Sequence, residues 1–361
     1  MTKIRLLKKT RSIGALLLTI VVLMQSNVVV AVAQEYEGEE VYVSYETNSY
    51  LENDRYVYLL MPDDPEWIEM VDYSEKVTAC RIPETVLESL SNEQLLQAII
   101  DFPLLSGIFT FSSLKEGTEH LEKVCDAYAE LLRRTGAKDI LLDEIFFRNN
   151  KGRSVITAEE EIILDTLVAL TIYQEGFCES LSFEEAELLA DASTLVEIKE
   201  EAYALDGVVT PNKTFVPCEV RTCYHTVEGY HKAMDAQIEM QFGVELVYEG
   251  TCTYNCHSYA WYKQSPYNRY WMQDPTPYTK DGSYSRVVSG NLNTSAASAI
   301  PGDIVLYGSI SHSAVLEGSI SGEPIATRTL ISKWGSTGVF RHRATQVPSS
   351  YDTNTISIWH R

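Results

Sequence analysis

Apolar residues recur every three to four positions through much of the first half of the chain. Ser91 precedes one such run, and the acidic Glu93 lies in the first turn of the helix that the run predicts. A serine at this place caps a helix, and the periodic apolar positions bury one helix face. The apolar positions of that run are Leu95, Leu96, Ile99 and Ile100. Similar spacing at 121–132, 158–173 and 182–203 predicts a helical domain at 79–206, folded as a bundle of amphipathic helices.

The pattern changes after about residue 217, where the apolar runs become short. Segments 226–242 and 256–263 are typical of helices. Strands are predicted at 245–248, 304–307, 312–316, 327–332 and 356–359. The stretch GVVTPNKTFVP at 207–217 has no periodicity and predicts a linker. The expected fold class is therefore α+β, with an N-terminal helical bundle followed by a second domain at 218–361.

The N-terminus has the pattern of a targeting segment. Five basic residues precede the apolar run from Ile13 to Met24, and Ala31-Val32-Ala33 follows as a cleavage pattern. We expect a cleaved signal peptide at 1–33, with an uncleaved anchor as the alternative. An acidic, tyrosine-rich leader is expected at 34–78. The protein is then secreted or displayed at the cell surface.

Charge narrows the classes of partner. The chain of 361 residues carries a formal net charge of -22. Nucleic acids and anionic membrane surfaces repel such a chain, so neither is an expected partner once the signal peptide is removed.

Seven cysteines leave at least one thiol unpaired in an exported protein where disulfides can form. Up to three disulfides are expected, and Cys252 is expected to be in one of them. Cys252, Cys256 and His257 lack a second matched pair of ligands at metal-site spacing, so no metal and no cofactor is expected.

Cys256 and His312 are the candidates for chemistry. Cys256 begins a predicted helix, where backbone N–H groups stabilise a thiolate and an oxyanion. His312 opens a predicted strand and is a candidate to accept the thiol proton. His257 directly follows Cys256, so on a helix it should point elsewhere, as a surface or supporting residue.

These segments resemble the papain-like cysteine hydrolases of the NlpC and CHAP types. The motifs are Tyr254-Asn255-Cys256-His257-Ser258-Tyr259-Ala260-Trp261, His312-Ser313-Ala314 and Ser332-Lys333-Trp334-Gly335 with His342. They are closest to an uncharacterised papain-like group with Tyr-Asn-Cys-x-x-(Tyr/Trp)-Ala-Trp and Ser-Lys-(Trp/Leu)-Gly, and the match covers only the C-terminal part.

The resemblance implies that Cys256 is the nucleophile and His312 the general base and acid. It also implies a third residue on the next strand that orients the imidazole. Ser332 stands there, and its hydroxyl can accept from an imidazole N–H. His342 is the alternative orienter or a structural residue. Asn255 either donates to the oxyanion or caps the helix.

The function expected from this resemblance is hydrolysis of an amide or peptide bond, with peptidoglycan peptide as the substrate class. Tyr270 and Trp271 are expected to line the substrate groove, whereas Trp261 is expected in the core. Two alternatives stay open: a non-catalytic binding or adhesive surface protein with a degenerate papain-like domain, and acyl transfer by the same dyad.

Overall fold

Amphipathic helices form in the first half of the chain, and serine or threonine side chains cap several of them. Ser91 accepts a hydrogen bond from the backbone N–H of Gln94, and the Gln94 side chain accepts one from the Ser91 N–H. This reciprocal cap satisfies N–H groups that the first helical turn leaves without partners. Thr157 and Ser182 cap two later helices in the same way.

The computed structural model describes residues 50–150, 156–195, 197, 199, 203–225, 227–318 and 324–361, and the backbone at 23–25, 28–34 and 40–46. The chain divides into two compact units, residues 1–57 and residues 58–361. Most of the predicted signal peptide at 1–33 lies outside the described residues. The helices in the described part of the chain are too short or too polar to cross a bilayer.

The described residues of the first unit include five strands. Strands β1 (Leu23–Gln25), β2 (Val28–Gln34) and β3 (Glu40–Glu46) form an antiparallel sheet in that order. Strands β4 (Leu51–Glu52) and β5 (Arg55–Tyr56) form a hairpin.

The second unit begins with ten helices in the described residues before its first strand. They are α1 (Pro65–Glu69), α2 (Tyr73–Ala79), α3 (Glu84–Ser89), α4 (Asn92–Ile100), α5 (Leu114–Val124), α6 (Asp126–Leu131), α7 (Ala137–Asn149), α8 (Ala158–Ile172), α9 (Glu175–Cys178) and α10 (Phe183–Ala192). A 3₁₀ turn, Leu105–Thr110, lies between α4 and α5. Helices α4, α7, α8 and α10 share one apolar core that includes Leu96, Leu141, Val168 and Leu189.

The leader prediction at 34–78 is wrong for its last part. Trp67 of α1 is fully buried, and its indole N–H donates to the backbone carbonyls of Met240 and Gln241. The buried Lys76 ammonium donates to the Gln241 carbonyl as well, at 2.9 Å. Residues from 58 onward belong to the main unit, and burial of the Trp67 ring beside the later helix at Tyr230–Phe242 helps to hold them there.

The predicted linker at 207–217 is also wrong. Strands β6 (Tyr203–Val209) and β7 (Phe215–Arg221) pair in antiparallel register across it. The turn between them closes through a hydrogen bond from the Lys213 N–H to the Thr210 carbonyl, with Lys213 at a positive φ of 72°. The Pro-Asn-Lys sequence that looks like a break is the turn of a hairpin.

Helix and sheet combine in the remainder of the chain, so the α+β class is confirmed. Helices α11 (Tyr230–Phe242) and α12 (Thr276–Lys280) accompany seven strands in antiparallel order β8-β13-β12-β11-β10-β14-β9. The strands are β8 (Glu245–Tyr248), β9 (Ser285–Gly290), β10 (Ile304–Tyr307), β11 (His312–Leu316), β12 (Thr329–Lys333), β13 (Val339–Arg343) and β14 (Ile356–His360). Short 3₁₀ turns occur at Ile325–Thr327 and Ser349–Tyr351.

One buried histidine joins the helical part to the C-terminal part and should make stability depend on pH. His120 Nε2 lies 2.8 Å from the Tyr73 hydroxyl, and Nδ1 lies 2.9 Å from the Ser350 hydroxyl. Burial, with a smaller effect of Lys123, lowers the pKa of His120 to about 4. Because this value is below that of the unfolded chain, the unfolded state takes up a proton first as the pH falls below about 6.5.

We therefore expect His120 to reduce the free energy of unfolding by about 2 kcal/mol between pH 7 and pH 5. The His120→Gln variant keeps a neutral amide and should lack this component. Urea denaturation of both proteins at the two pH values measures it. Equal losses of stability in wild type and variant would contradict the assignment.

Candidate active site

Cys256 lies at the start of a short helical segment that Asn255 holds in place. Cys256 and His257 are α-helical, and Ser258–Tyr262 continues as a π-helical turn. The Asn255 carboxamide oxygen accepts from the backbone N–H groups of Ser258 and Met272, and its amide donates to the Met272 carbonyl at 2.8 Å. Asn255 thus caps the helix and ties it to a neighbouring loop, which is the capping role rather than the oxyanion role.

Two imidazoles act on the Cys256 thiol. Cys256, His257 and His312 are all at most 2% exposed. Burial alone would raise the pKa of the Cys256 thiol, but the charges of His257 and His312 and hydrogen bonding to both hold that pKa well below its ordinary value. The two imidazoles therefore favour the thiolate form of Cys256 relative to an ordinary cysteine.

A hydrogen-bond chain behind His312 determines which of its nitrogens faces the thiol. Burial lowers the pKa of His342 to about 3, so this imidazole is neutral. Its Nδ1 lies 2.8 Å from the Arg343 carbonyl and must donate to it, so its Nε2 accepts from the Ser332 hydroxyl at 2.8 Å. The Ser332 oxygen then accepts from the Trp334 indole and from His312 Nε2–H at 3.0 Å.

His312 consequently carries its proton on Nε2 when neutral, and Nδ1 is the nitrogen with a lone pair for the thiol. Of the two orienters that the sequence left open, Ser332 contacts His312 directly and His342 orients Ser332. Lys333 turns away from this chain and donates to the carbonyls of Thr251 and Gly335.

His257 is not a surface residue. Its Nδ1 lies 2.8 Å from the Ser313 hydroxyl, and its Nε2 donates to the Ile310 carbonyl at 3.0 Å. Burial works against a charge on this ring, but the Cys256 thiolate and hydrogen bonding to Cys256 and Ile310 outweigh burial and raise the pKa of His257. Both ring nitrogens have protein partners, so His257 is placed to stabilise the thiolate rather than to exchange protons with a substrate.

The two histidines approach the thiol from different faces of the sheet. Along β11, His312, Ala314 and Leu316 face one side of the sheet, and Ser313 and Val315 face the other. Leu316 pairs with Leu330 of β12, and Ser332 is two residues after Leu330, so Ser332 lies on the same face as His312. The opposite face, with Val315, packs on the helical segment of Cys256 through Tyr259 and Trp261. His312 is the first residue of β11, so its side chain lies at the end of the strand and still acts on Cys256.

A segment from the helical part of the unit covers the site. The Ser112 hydroxyl lies 3.9 Å from Cys256 Sγ, and the Tyr351 ring stacks on His312 with ring centres 4.3 Å apart. Phe111 packs edge-on against Tyr351 at 5.4 Å, and Tyr351 donates to the Thr110 carbonyl. Residues 109–112, here called the cover, therefore close the candidate site in this structure.

The groove prediction is wrong for Trp271. This side chain is 1% exposed, its backbone pairs with Glu219, and the Arg221 guanidinium stacks on its ring at 3.9 Å. Tyr270 is half-buried and packs edge-on against Tyr262. Trp261 lies in the core, as expected.

The disulfide prediction is not met, because all seven cysteines are free, including Cys252. Cys252 instead meets Cys223, His225 and His231, which sequence reasoning missed. A high density of cysteine and histidine between residues 218 and 257 was the available signal.

Comparison with protein-family models, with curated proteins and with solved structures gives no match for this chain. Function has to be inferred from the geometry of the site.

The cover should control access to Cys256, and Phe111→Ala tests this. The substitution removes the ring that braces Tyr351, so we expect iodoacetamide to alkylate Cys256 at least about 10-fold faster through local opening. Peptide mass spectrometry measures the rate.

Phe102→Ala is the matched control, since Phe102 is also buried in the helical part but packs on Tyr58. Both substitutions should cost about 3–5 kcal/mol of stability. Equal acceleration in the two variants would mean that global unfolding exposes the thiol, and the cover would have no specific role.

Proposed function

We propose that the chain is a cysteine hydrolase that cleaves an amide or peptide bond, with a papain-like arrangement of Cys256 and His312. The single observation that supports it most is the buried Cys256 thiol, whose pKa is held well below its ordinary value by two imidazoles. Structural cysteines buried in apolar surroundings have raised pKa values instead, as Cys80 and Cys125 do.

The proposed reaction has two steps. The Cys256 thiolate attacks the substrate carbonyl, and backbone N–H groups at the start of the helical segment hold the oxyanion. His312, protonated by the thiol, returns that proton to the leaving amine as the C–N bond breaks. A water molecule, deprotonated by His312, then hydrolyses the thioester and regenerates the thiol.

The proposed substrate class is a peptide of the cell wall, and the protein acts after export. Both parts rest on the resemblance to NlpC-type and CHAP-type hydrolases and on the expected signal peptide. A substrate of this size requires the cover to move, because Cys256 and His312 are buried under it.

Purified full chain should release new amino groups from peptidoglycan, detected by amine derivatisation and mass spectrometry. Cys256→Ser and His312→Gln should each lower this release at least about 100-fold, since each removes a group of the dyad. Cys178→Ser, at an exposed free cysteine, is the control and should keep full activity. Release that persists in Cys256→Ser would contradict the proposal. Incorporation of an added amine would indicate acyl transfer.

Removing the serine that binds each histidine should distinguish the catalytic role of His312 from that of His257. Ser332→Ala leaves the His312 N–H, the Trp334 indole and His342 Nε2 without their common partner, at about 1–3 kcal/mol for each buried group. Turnover should fall about 10-fold or more, because His312 loses the bond that fixes its orientation.

Ser313→Ala is the matched control for that variant. Ser313 is equally buried and bonds an imidazole and an indole in the same way, those of His257 and Trp261. It should cost somewhat less stability, because two buried groups rather than three lose their partner, and it should reduce kcat much less, because His257 only stabilises the charge. If Ser313→Ala reduced kcat more than Ser332→Ala, His257 would be the proton carrier.

The burial of Cys256 and His312 under the cover favours a second candidate, a non-catalytic surface binding protein with a disabled papain-like domain. In that case Cys256→Ser would leave binding to peptidoglycan intact, and neither wild type nor Phe111→Ala would release amines. Turnover by either protein excludes this candidate.

A further inference from the structure

Four metal-binding side chains meet about one loop away from the candidate active site. Cys223 and His225 follow strand β7, His231 lies in the first turn of α11, and Cys252 precedes the Cys256 segment. One ligand atom each from Cys223, His231 and Cys252 lie within 4.8 Å of one another. His225 Nε2 lies 3.3 Å and His231 Nε2 4.0 Å from Cys252 Sγ.

These separations suit a tetrahedral ion. With Zn–S bonds of about 2.3 Å and Zn–N bonds of about 2.0 Å, neighbouring ligand atoms around zinc lie about 3.5 Å apart. The Cys252 backbone N–H also donates to Cys223 Sγ at 3.0 Å, a bond that stabilises a thiolate. The ligand atoms of Cys223, His231 and Cys252 are already grouped, and His225, whose ring centre lies 5.0 Å from that of His231, has to move toward them to complete a set of four.

His225 is held in the form that a metal ligand requires. The Thr194 hydroxyl donates to the Asp165 carboxylate at 2.6 Å, so its oxygen accepts from His225 Nδ1–H at 2.9 Å. Nε2 is therefore the nitrogen with the lone pair, and it faces Cys252. Tyr230 stacks on the His225 ring at 3.7 Å and donates to the same carboxylate. A carboxylate behind a ligand histidine is the usual support of a zinc site.

His231 has a carboxylate behind it as well. His231 Nδ1 and Asp235 Oδ1 are both buried without a hydrogen-bond partner. A methyl group placed on Gly250 would lie 2.9 Å from Asp235 Oδ1 and 3.2 Å from His231 Nδ1, so the two atoms border the same point. The charge of His231 also acts on Asp235. Asp235 is therefore the carboxylate that can accept from His231 Nδ1–H once the ligand set is assembled.

We propose that Cys223, His225, His231 and Cys252 form a zinc site of the Cys₂His₂ type, which fixes the loop that leads into Cys256. Two thiolates and two imidazoles are the ligand set that zinc prefers in closed structural sites. Binding displaces the Cys252 proton, so uptake of the ion releases protons to the solvent.

Metal binding by the reduced full chain tests the proposal without reference to catalysis. After removal of metal with a chelator, added Zn²⁺ should bind at about one equivalent per chain by elemental analysis. Co²⁺ should give thiolate-to-metal charge-transfer bands and the intense visible bands of tetrahedral coordination. Zn²⁺ should raise the melting temperature, because the unfolded chain lacks the assembled site.

Variants assign the ligands. Cys223→Ser, Cys252→Ser and His231→Gln should weaken binding by at least about 100-fold, and Asp165→Asn by about 10–100-fold through His225. Cys218→Ser is the matched control, since Cys218 is buried on β7 in the core that contains Val216 and Trp261, separate from the cluster of Cys223 and Cys252. It should bind Zn²⁺ like wild type. If a ligand variant fails to fold, the cobalt spectrum of the wild type still decides.

Two results would overturn the site. One is a reduced, folded chain that binds neither Zn²⁺ nor Co²⁺. The other is a Cys223–Cys252 disulfide in the protein recovered from the exported fraction, detected as a linked peptide whose amount Zn²⁺ does not change. Neither result depends on peptidoglycan hydrolysis. The zinc site can therefore be rejected while the hydrolase proposal stands, and the reverse is also true.

Discussion

The site depends on the balance between burial and charge at Cys256. Burial raises the pKa of a thiol, whereas the neighbouring imidazoles lower the pKa of Cys256 by more than burial raises it. Burial disfavours the thiolate, so the neighbouring charges have to outweigh it. The fold supplies them as two imidazoles, each anchored by a buried serine that also accepts from a tryptophan indole: His312 by Ser332, and His257 by Ser313. Ser313 lies on β11 and Ser332 on the neighbouring strand β12, so two adjacent strands of the sheet hold the two anchors.

The helical part of the unit takes part in the same arrangement. Gly335 has a φ of 44°, and a methyl group there would lie 2.2 Å from the Phe109 carbonyl oxygen, so the loop after β12 can approach the cover this closely only with glycine. Glu116 of α5 also lies near the thiol, and burial, followed by the charge of Cys256, raises its pKa. The cover therefore adjoins both the nucleophile and its base, and exposure of the site requires the two parts of the unit to separate locally.

Features set by local sequence could be predicted, whereas those set by distant contacts could not. The Ser91 cap, strand β8 and strand β11 were predicted correctly because caps and alternation act within a few residues. Local sequence predicts that His257 points away from the chemistry, because its hydrogen-bond partners Ser313 and Ile310 are distant in the chain. Cys252 and the three residues around it, Cys223, His225 and His231, come from three segments, so their spacing matches no motif. Trp271 looked like a groove residue because the sequence did not reveal the pairing with Glu219.

Direct titration of the Cys256 thiol is the measurement that bears most closely on this account. The difference in ultraviolet thiolate absorbance between wild type and Cys256→Ser can be followed in the folded protein from about pH 4 to pH 10. The account predicts that the thiolate signal is already present at neutral pH and disappears only well below the ordinary thiol range. A signal that develops only near or above the ordinary thiol pKa would contradict it.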